Sequence, residues 1–230
     1  MPPVKLLRRA SFAAVAVAAL PASAGAATLS VDKSCYREGA NAVASGSGFA
    51  PNAQVRFTLD GVDFTDDANI PAADAAGNLN AGFGIGSPPG KQKTYTLGAS
   101  DGTTVGETTF TATDLDVIVK PKRGNPGKRK RVTARGFDQG RVLRYHVRGP
   151  RKRNGRIGRV KGPCGKINKR AKIFKATYPT GVYTVQFDQR KRYSATSSPR
   201  VVFQVTIFRV VRPSVAGAAF SAAETWTPLD

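Results

Sequence analysis

The sequence predicts an all-β chain built as two tandem antiparallel β-sandwiches behind a cleaved leader. Three observations carry this. Short apolar–polar alternations recur between turn residues at intervals of roughly 8 to 12 residues. The pattern repeats under a shift of 88 positions, which brings Gly48 onto Gly136. After the leader, no stretch carries the 3.6-residue apolar period of an amphipathic helix.

The repeat is the strongest of the three, because self-similarity at one offset marks a tandem architecture. Gly48-Phe49 falls on Gly136-Phe137, and the alternating Val55, Phe57, Leu59 fall on Leu143, Tyr145, Val147, closed by Gly61 and Gly149. Gly77-Asn78-Leu79-Asn80 aligns with Gly165-Lys166-Ile167-Asn168, Tyr95-Thr96-Leu97 with Tyr183-Thr184-Val185, and Leu29 and Val31 with Val117 and Val119. Strands are expected over 28–32, 42–47, 55–59, 78–84, 93–99 and 108–113. In the second unit they are expected over 115–119, 131–135, 142–148, 167–175, 182–187 and 201–210. The second unit departs from the first in an Arg/Lys-rich, insertion-like stretch over 150–161 and in extra residues between Phe187 and Val201.

The boundaries follow. Lys5, Arg8 and Arg9 precede an apolar run from Ser11 to Ala22 and small residues at Ala22-Ser23-Ala24 and Ala24-Gly25-Ala26. That is the three-part pattern of a secretory signal peptide, with cleavage expected after Ala24 or Ala26. Arg8-Arg9 is followed by Ala10-Ser11-Phe12 rather than a strong apolar pair, which favours general secretion over the twin-arginine route. The expected organisation is a leader over 1–26, a first sandwich over 27–113, a second over 114–210 and a flexible tail over 211–230, with Phe220 and Trp226 docking back. No later stretch is long and apolar enough for a spanning helix.

Gly46-Ser47-Gly48-Phe49-Ala50-Pro51-Asn52, the Val55/Phe57/Leu59 strand, Ala75-Ala76-Gly77-Asn78-Leu79, Pro89-Gly90 and Tyr95-Thr96-Leu97 resemble the bacterial immunoglobulin-like repeats of exported surface proteins. Gly136-Phe137, Cys164-Gly165-Lys166-Ile167 and Pro179-Thr180-Gly181-Val182-Tyr183-Thr184-Val185 repeat the pattern. The resemblance implies an immunoglobulin-like sandwich and a habitat outside the cytoplasm; it names no ligand. Tyr95 and Tyr183 are placed for the corner hydrogen bond of such domains, against the plainer reading of half-buried aromatics. Cys35 and Cys164, the only cysteines, are compatible with a disulfide in an exported chain. Two separate buried thiols and an intermolecular link stay open beside it.

Charge divides the units. Of the 36 Lys and Arg residues, 27 lie between Asp114 and Val210, opposed there by Asp114, Asp116, Asp138 and Asp188, an excess of 23. The first unit carries five basic residues against nine acidic ones. Self-repulsion on that scale reads as a surface for a polyanion; the plainer reading is that Lys and Arg protect sheet edges from other chains. The candidate anion-binding residues are Lys128, Arg129, Lys130, Arg131, Arg151, Lys152, Arg153, Arg156, Arg159, Arg190, Lys191 and Arg192. Arginine outnumbers lysine sixteen to eleven in the unit, which favours phosphate or carboxylate partners held by two parallel hydrogen bonds. Wall polymers, acidic polysaccharides, lipid headgroups and released DNA all offer such groups. Phe137, Phe174, Phe187, Phe203 and Phe208 are expected in the core, leaving Tyr178 and Tyr193 as the aromatics to test for base stacking.

The inventory for catalysis is thin. His146 is the single histidine and sits mid-strand, no His/Cys cluster has zinc spacing, and no Gly-rich loop opens a helix. No cofactor is expected. Asp60, Asp63, Asp66 and Asp67 crowd one loop with oxygen ligands in a spacing that matches no standard calcium loop. The same loop is a candidate for docking against the basic unit. Two function classes follow: a non-catalytic binding or adhesion module gripping an anionic polymer, or a structural spacer or assembly subunit whose partner is a surface protein.

Overall fold

The computed structural model describes residues 26–66, 69–214 and 217–229, with side chains described for these except over 211–220. The leader expected over 1–26 therefore lies, apart from Ala26, outside the described residues, as does Asp67.

The first domain forms β1 (Thr28–Val31), β2 (Cys35–Arg37), β3 (Asn41–Ser47), β4 (Arg56–Leu59), β5 (Val62–Asp63), β6 (Leu79–Gly84), β7 (Gln92–Ser100) and β8 (Val105–Thr113). The second forms β9 (Asp116–Lys120), β10 (Arg123–Gly124), β11 (Lys130–Arg135), β12 (Val142–Arg148), β13 (Arg153–Arg159), β14 (Ile167–Ala171), β15 (Gly181–Asp188), β16 (Arg200–Ser214) and β17 (Gly217–Leu229). No helix occurs among the described residues.

Each domain is a sandwich of two sheets. In the first, β1-β3-β6 faces β2-β8-β7-β4-β5; in the second, β14-β11-β9 faces β10-β17-β16-β15-β12-β13. Three strands against a sheet centred on the third, sixth and seventh main strands is the immunoglobulin-like arrangement. The 88-residue shift maps β1, β3 and β6 onto β9, β11 and β14, and β4 and β7 onto β12 and β15; β16 takes the place of β8 beside β15 at a larger offset, because of the extra residues between Phe187 and Val201. The correspondence reaches single contacts. Gly77 and Gly165 both have positive φ, at 77° and 55°, and in each a side chain would run into the carbonyl of Phe49 or Phe137, its partner 28 residues earlier. Glycine is required there because the backbone both turns left-handed and closes on another backbone.

The cores differ in bulk. The first uses Tyr36, Phe49, Val55, Phe57, Leu97 and Phe110 together with six alanines. The second uses Leu143, Tyr145, Phe174, Tyr183, Phe187, Phe203 and Trp226, with one alanine. Phe174 and Phe203 both approach Trp226 edge-on at 5.7 Å between ring centroids, the offset geometry aromatic quadrupoles favour. Tyr183 donates its hydroxyl to the Pro179 carbonyl at 2.9 Å, the expected corner bond. Tyr95 is instead half-buried and stacks on Phe110. Phe208, expected in the core, is 41% exposed because it alternates with the inward Phe203, Val205 and Ile207 and so stands on the outer face of the sheet.

Two expectations about loops are corrected. The stretch over 150–161 contains a strand, β13, pairing with β12 from Val142↔Arg159 to Val147↔Arg153. Its apolar signal is only Ile157, because Gly155 lies under the Tyr145 ring where any side chain would collide. The expected flexible tail over 211–230 is likewise ordered pairing: β17 runs antiparallel to β16 from Ser214↔Gly217 to Val202↔Leu229. Its alternation is disguised because the two buried residues are a carboxylate, Glu224, and Trp226. The second domain thus extends to 229. In the first domain β2 pairs directly, in parallel, with β8; in the second, β17 is wedged between the equivalent strands β10 and β16.

The domains are joined by the Cys35–Cys164 disulfide, which spans 129 residues of sequence. Around it, Lys91 lies 3.3 Å from Asp114 and 3.6 Å from Asp116, and Arg135 approaches the same two carboxylates at 3.9 and 3.7 Å. The Arg37 guanidinium donates to the Gly136 carbonyl at 3.4 Å.

Trp226→Ala is expected to destabilise the second domain by about 3–5 kcal/mol, the cost of emptying an aromatic core site. Urea unfolding followed by circular dichroism measures it, and an unchanged midpoint would return β17 to the status of a tail.

Candidate polyanion-binding surface

The twelve candidate cations do not form one patch. Lys128 and Arg129 are exposed in the turn before β11, and Arg151 and Lys152 are exposed in the turn between β12 and β13. Both turns lie at the end of the domain away from the junction, flanking the segment after β14: Gly127 packs against Ala176, and Arg153 donates to the Ile173 carbonyl at 3.2 Å. Arg153 is half-buried by that bond and by the Tyr145 ring 5.8 Å away. Arg156 and Arg159 are exposed on β13, Arg159 also donating to the Gly140 carbonyl at 2.8 Å. Arg190, Lys191 and Arg192 are exposed in the segment after β15, which folds over the outer face of the six-stranded sheet. Arg131 is exposed on the opposite sheet.

Lys130 is a correction. It is 2% exposed, and its ammonium lies 2.6 Å from the Glu224 carboxylate while donating to the Pro121 carbonyl at 3.0 Å. Position 130 is where the repeat places Ala42, a fully buried core residue of the first domain. Burial pushes the Glu224 carboxyl above its ordinary value, and Lys130 pulls it back. A buried cation satisfied this way is part of the scaffold and holds no external anion.

On the outer face of the larger sheet, His146 and Asp188 are fully buried under the segment that carries Arg190 to Arg192. His146 Nε2 is 3.0 Å from Asp188 Oδ1, and Nδ1 is 3.0 Å from Asn154 Oδ1. Ser197 donates its hydroxyl to Asp188 Oδ2 at 2.8 Å, and the Gln186 amide donates to the Ser197 and Asp188 oxygens. The three residue types of a hydrolytic triad meet here, but the carboxylate stands between serine and imidazole, so the histidine is not placed to take the serine proton. The cluster pins the segment down. Of the two tyrosines singled out for stacking, Tyr193 holds the Arg148 guanidinium 4.1 Å from its ring centre. Tyr178 packs on Phe174 and Tyr183.

The acidic loop of the first domain is turned inward on its own domain. Asp60 pairs with Lys93 at 2.7 Å, and Asp63 pairs with Arg56 at 3.2 Å and accepts from the Thr65 amide. No group of three metal-ligating side chains occurs among the described residues. Docking of Asp60 and Asp63 on the basic domain is not what the structure has; the junction uses Asp114 and Asp116 instead.

The candidate set omitted Lys120 and Arg170, which flank Arg131 on the three-stranded sheet in direct register. Counting in twos from the buried Val119, Val132 and Ile167 was the signal that places them outward.

No protein-family model matches the chain, and no curated protein matches it. Among solved structures the chain is similar to trypsin-activated alpha-2-macroglobulin from Escherichia coli, at 12% identity and a TM-score of 0.31, over 87% of this chain and 15% of that one. It is also similar to a tetra-tandem repeat in the extending region of a large adhesion protein, at 14% identity and a TM-score of 0.26, over 89% of this chain and 66% of that one. A third likeness is to the Ig tandem domains of titin, at 11% identity and a TM-score of 0.23, over 86% and 96%. The chain thus spans less than two thirds of the length of the first two. At these scores the likenesses carry no argument, and the fold rests on strand order and register.

Lys130→Met leaves Glu224 buried without its counter-charge and is expected to cost about 3–5 kcal/mol, whereas the Lys130→Met/Glu224→Leu double variant recovers most of it. Chemical unfolding of the three proteins decides; equal losses in single and double variants would show that the pair is not coupled.

Acid is expected to weaken the first domain. Backbone N–H donors hold Asp32, Asp63, Asp74 and Asp101 below the ordinary carboxylate value, the first donors being Val43, Thr65, Asn78 and Ala50, and Lys93 does the same for Asp60. Folded values below the unfolded one give stability that is complete above about pH 4 and lost as pH falls through the folded values. Asp101 accepts from Ala50, Thr103 and Thr104 amides at 2.7 to 2.8 Å. Asp101→Asn should therefore flatten the fall in melting temperature between pH 5 and 2, and a variant as acid-sensitive as the parent would contradict the assignment.

Proposed function

We propose that the chain is a non-catalytic, exported binding or adhesion module whose second domain holds an anionic polymer. One observation carries the reading. Every described carboxylate of the basic domain has an internal partner: Asp114 and Asp116 at the junction, Asp138 with Arg141 at 3.4 Å, Asp188 beneath the segment after β15, and Glu224 with Lys130. The exposed arginines and lysines are left to find their counter-charge outside the domain, and a polyanion supplies many at once with release of its own counterions. The disulfide supports an oxidising location, in keeping with the leader pattern in the sequence. The immunoglobulin-like scaffold serves to present the surface.

The mature chain should be retained on an immobilised phosphate polymer at low ionic strength and released by salt, with the logarithm of affinity falling linearly against that of salt concentration. Passage through the column at low ionic strength would overturn the proposal.

A further inference from the structure

We infer that the anion-binding face is the outer side of the three-stranded sheet β9-β11-β14, and that it takes a base-free phosphodiester polymer lying across the strands. The inference rests on the polyanion reading and gives it a place and a ligand class.

Register builds the face. Arg131 stands opposite Lys120 on one side and opposite Arg170 on the other, so three cations form one row across the sheet. Val119 beside Lys120 and Val132 beside Arg131 are buried, Ala171 beside Arg170 is half-buried, and all three cations are exposed. With neighbouring strands about 4.8 Å apart, the row covers about 10 Å. Like charges directly opposite one another destabilise a sheet, and the carboxylates of the domain are engaged elsewhere. An anion laid along the row removes the repulsion, and two of its three members offer the planar fork that matches phosphate oxygens.

The rest of the face sets the direction and class of the ligand. The next row, Ile118, Thr133 and Asn168, is uncharged and supplies a hydroxyl and an amide. The row beyond it, at the junction end, sets Asp116 opposite Arg135 as an ion pair at 3.7 Å, so the unpaired cationic row stops short of the first domain. No aromatic stands in these rows, which leaves nothing for bases to stack on and favours a polymer of phosphodiesters without them. The outer face of the other sheet is a poorer seat: Asp188 sits in register with both Arg144 and Arg200 there, and the segment after β15 covers part of it.

The test titrates full mature chain with a synthetic poly(glycerol phosphate) oligomer, single-stranded DNA of equal charge and phosphatidylglycerol vesicles, over a range of salt. Lys120→Gln/Arg131→Gln/Arg170→Gln should lower the magnitude of the log–log salt slope for the oligomer by about 2, while melting no lower than the parent in low salt. Arg190→Gln/Lys191→Gln/Arg192→Gln should lower it by less than half as much. Equal effects of the two triple variants, or a face variant that melts lower, would overturn the face while leaving polyanion binding standing. Tighter binding of the DNA or of the vesicles than of the oligomer would overturn the ligand class. Absence of binding to all three by the parent chain would remove the polyanion reading itself.

Discussion

Like-charge repulsion inside the second domain is the constraint to which the rest of that domain answers. An excess of 23 positive charges between Asp114 and Val210 works against compactness. Charge of one sign on a surface does not unfold a sandwich whose interior is stable enough to hold it. The interior here is heavier than in the sister domain: the 88-residue shift places Phe187 where the first domain has Ala99, and Val132 where it has Ala44. Trp226 then closes an aromatic cluster from a strand, β17, that has no counterpart in the first domain. The domain with the cationic surface is thus also the one with the bulkier core.

The same comparison explains why a lysine sits inside. Lys130 occupies the place of Ala42, which is fully buried in the first domain. In the second domain β17 brings Glu224 to within 2.6 Å of the buried ammonium. A buried ion pair is rarely a net source of stability. The pair instead links β11 of one sheet to β17 of the other across the interior.

Fold class, repeat and most strand positions were legible in the sequence because they rest on period-2 alternation and turn glycines, which are local signals. Cys35 and Cys164 were visible, but that they tie one domain to the other depends on how the two sandwiches meet. The hidden elements each broke the local code for a physical reason. In β13 a glycine does the work of an inward residue because Tyr145 fills the space, and in β17 the inward residue is a carboxylate. For the binding surface, runs of adjacent basic residues drew attention to turns, whereas register across three separated strands is what aligns Lys120, Arg131 and Arg170. Run-counting marks Lys130 as a surface residue, although the repeat sets it on Ala42, which is buried.

The wedging of β17 between β10 and β16 has a consequence for the order in which the chain acquires its structure. In the first domain β2 meets β8 with nothing between them, so the sheet is complete once eight strands have emerged. In the second, β10 is made early, yet its hydrogen-bonding partner is the last strand of the domain, with nearly the whole domain intervening. Pairings of such long sequence separation form slowly because loop closure has to precede any gain. Until β17 pairs, one sheet of the cationic domain is open beside β16, Trp226 lacks its aromatic neighbours and Lys130 lacks Glu224. This half of the chain is closed by its last strand.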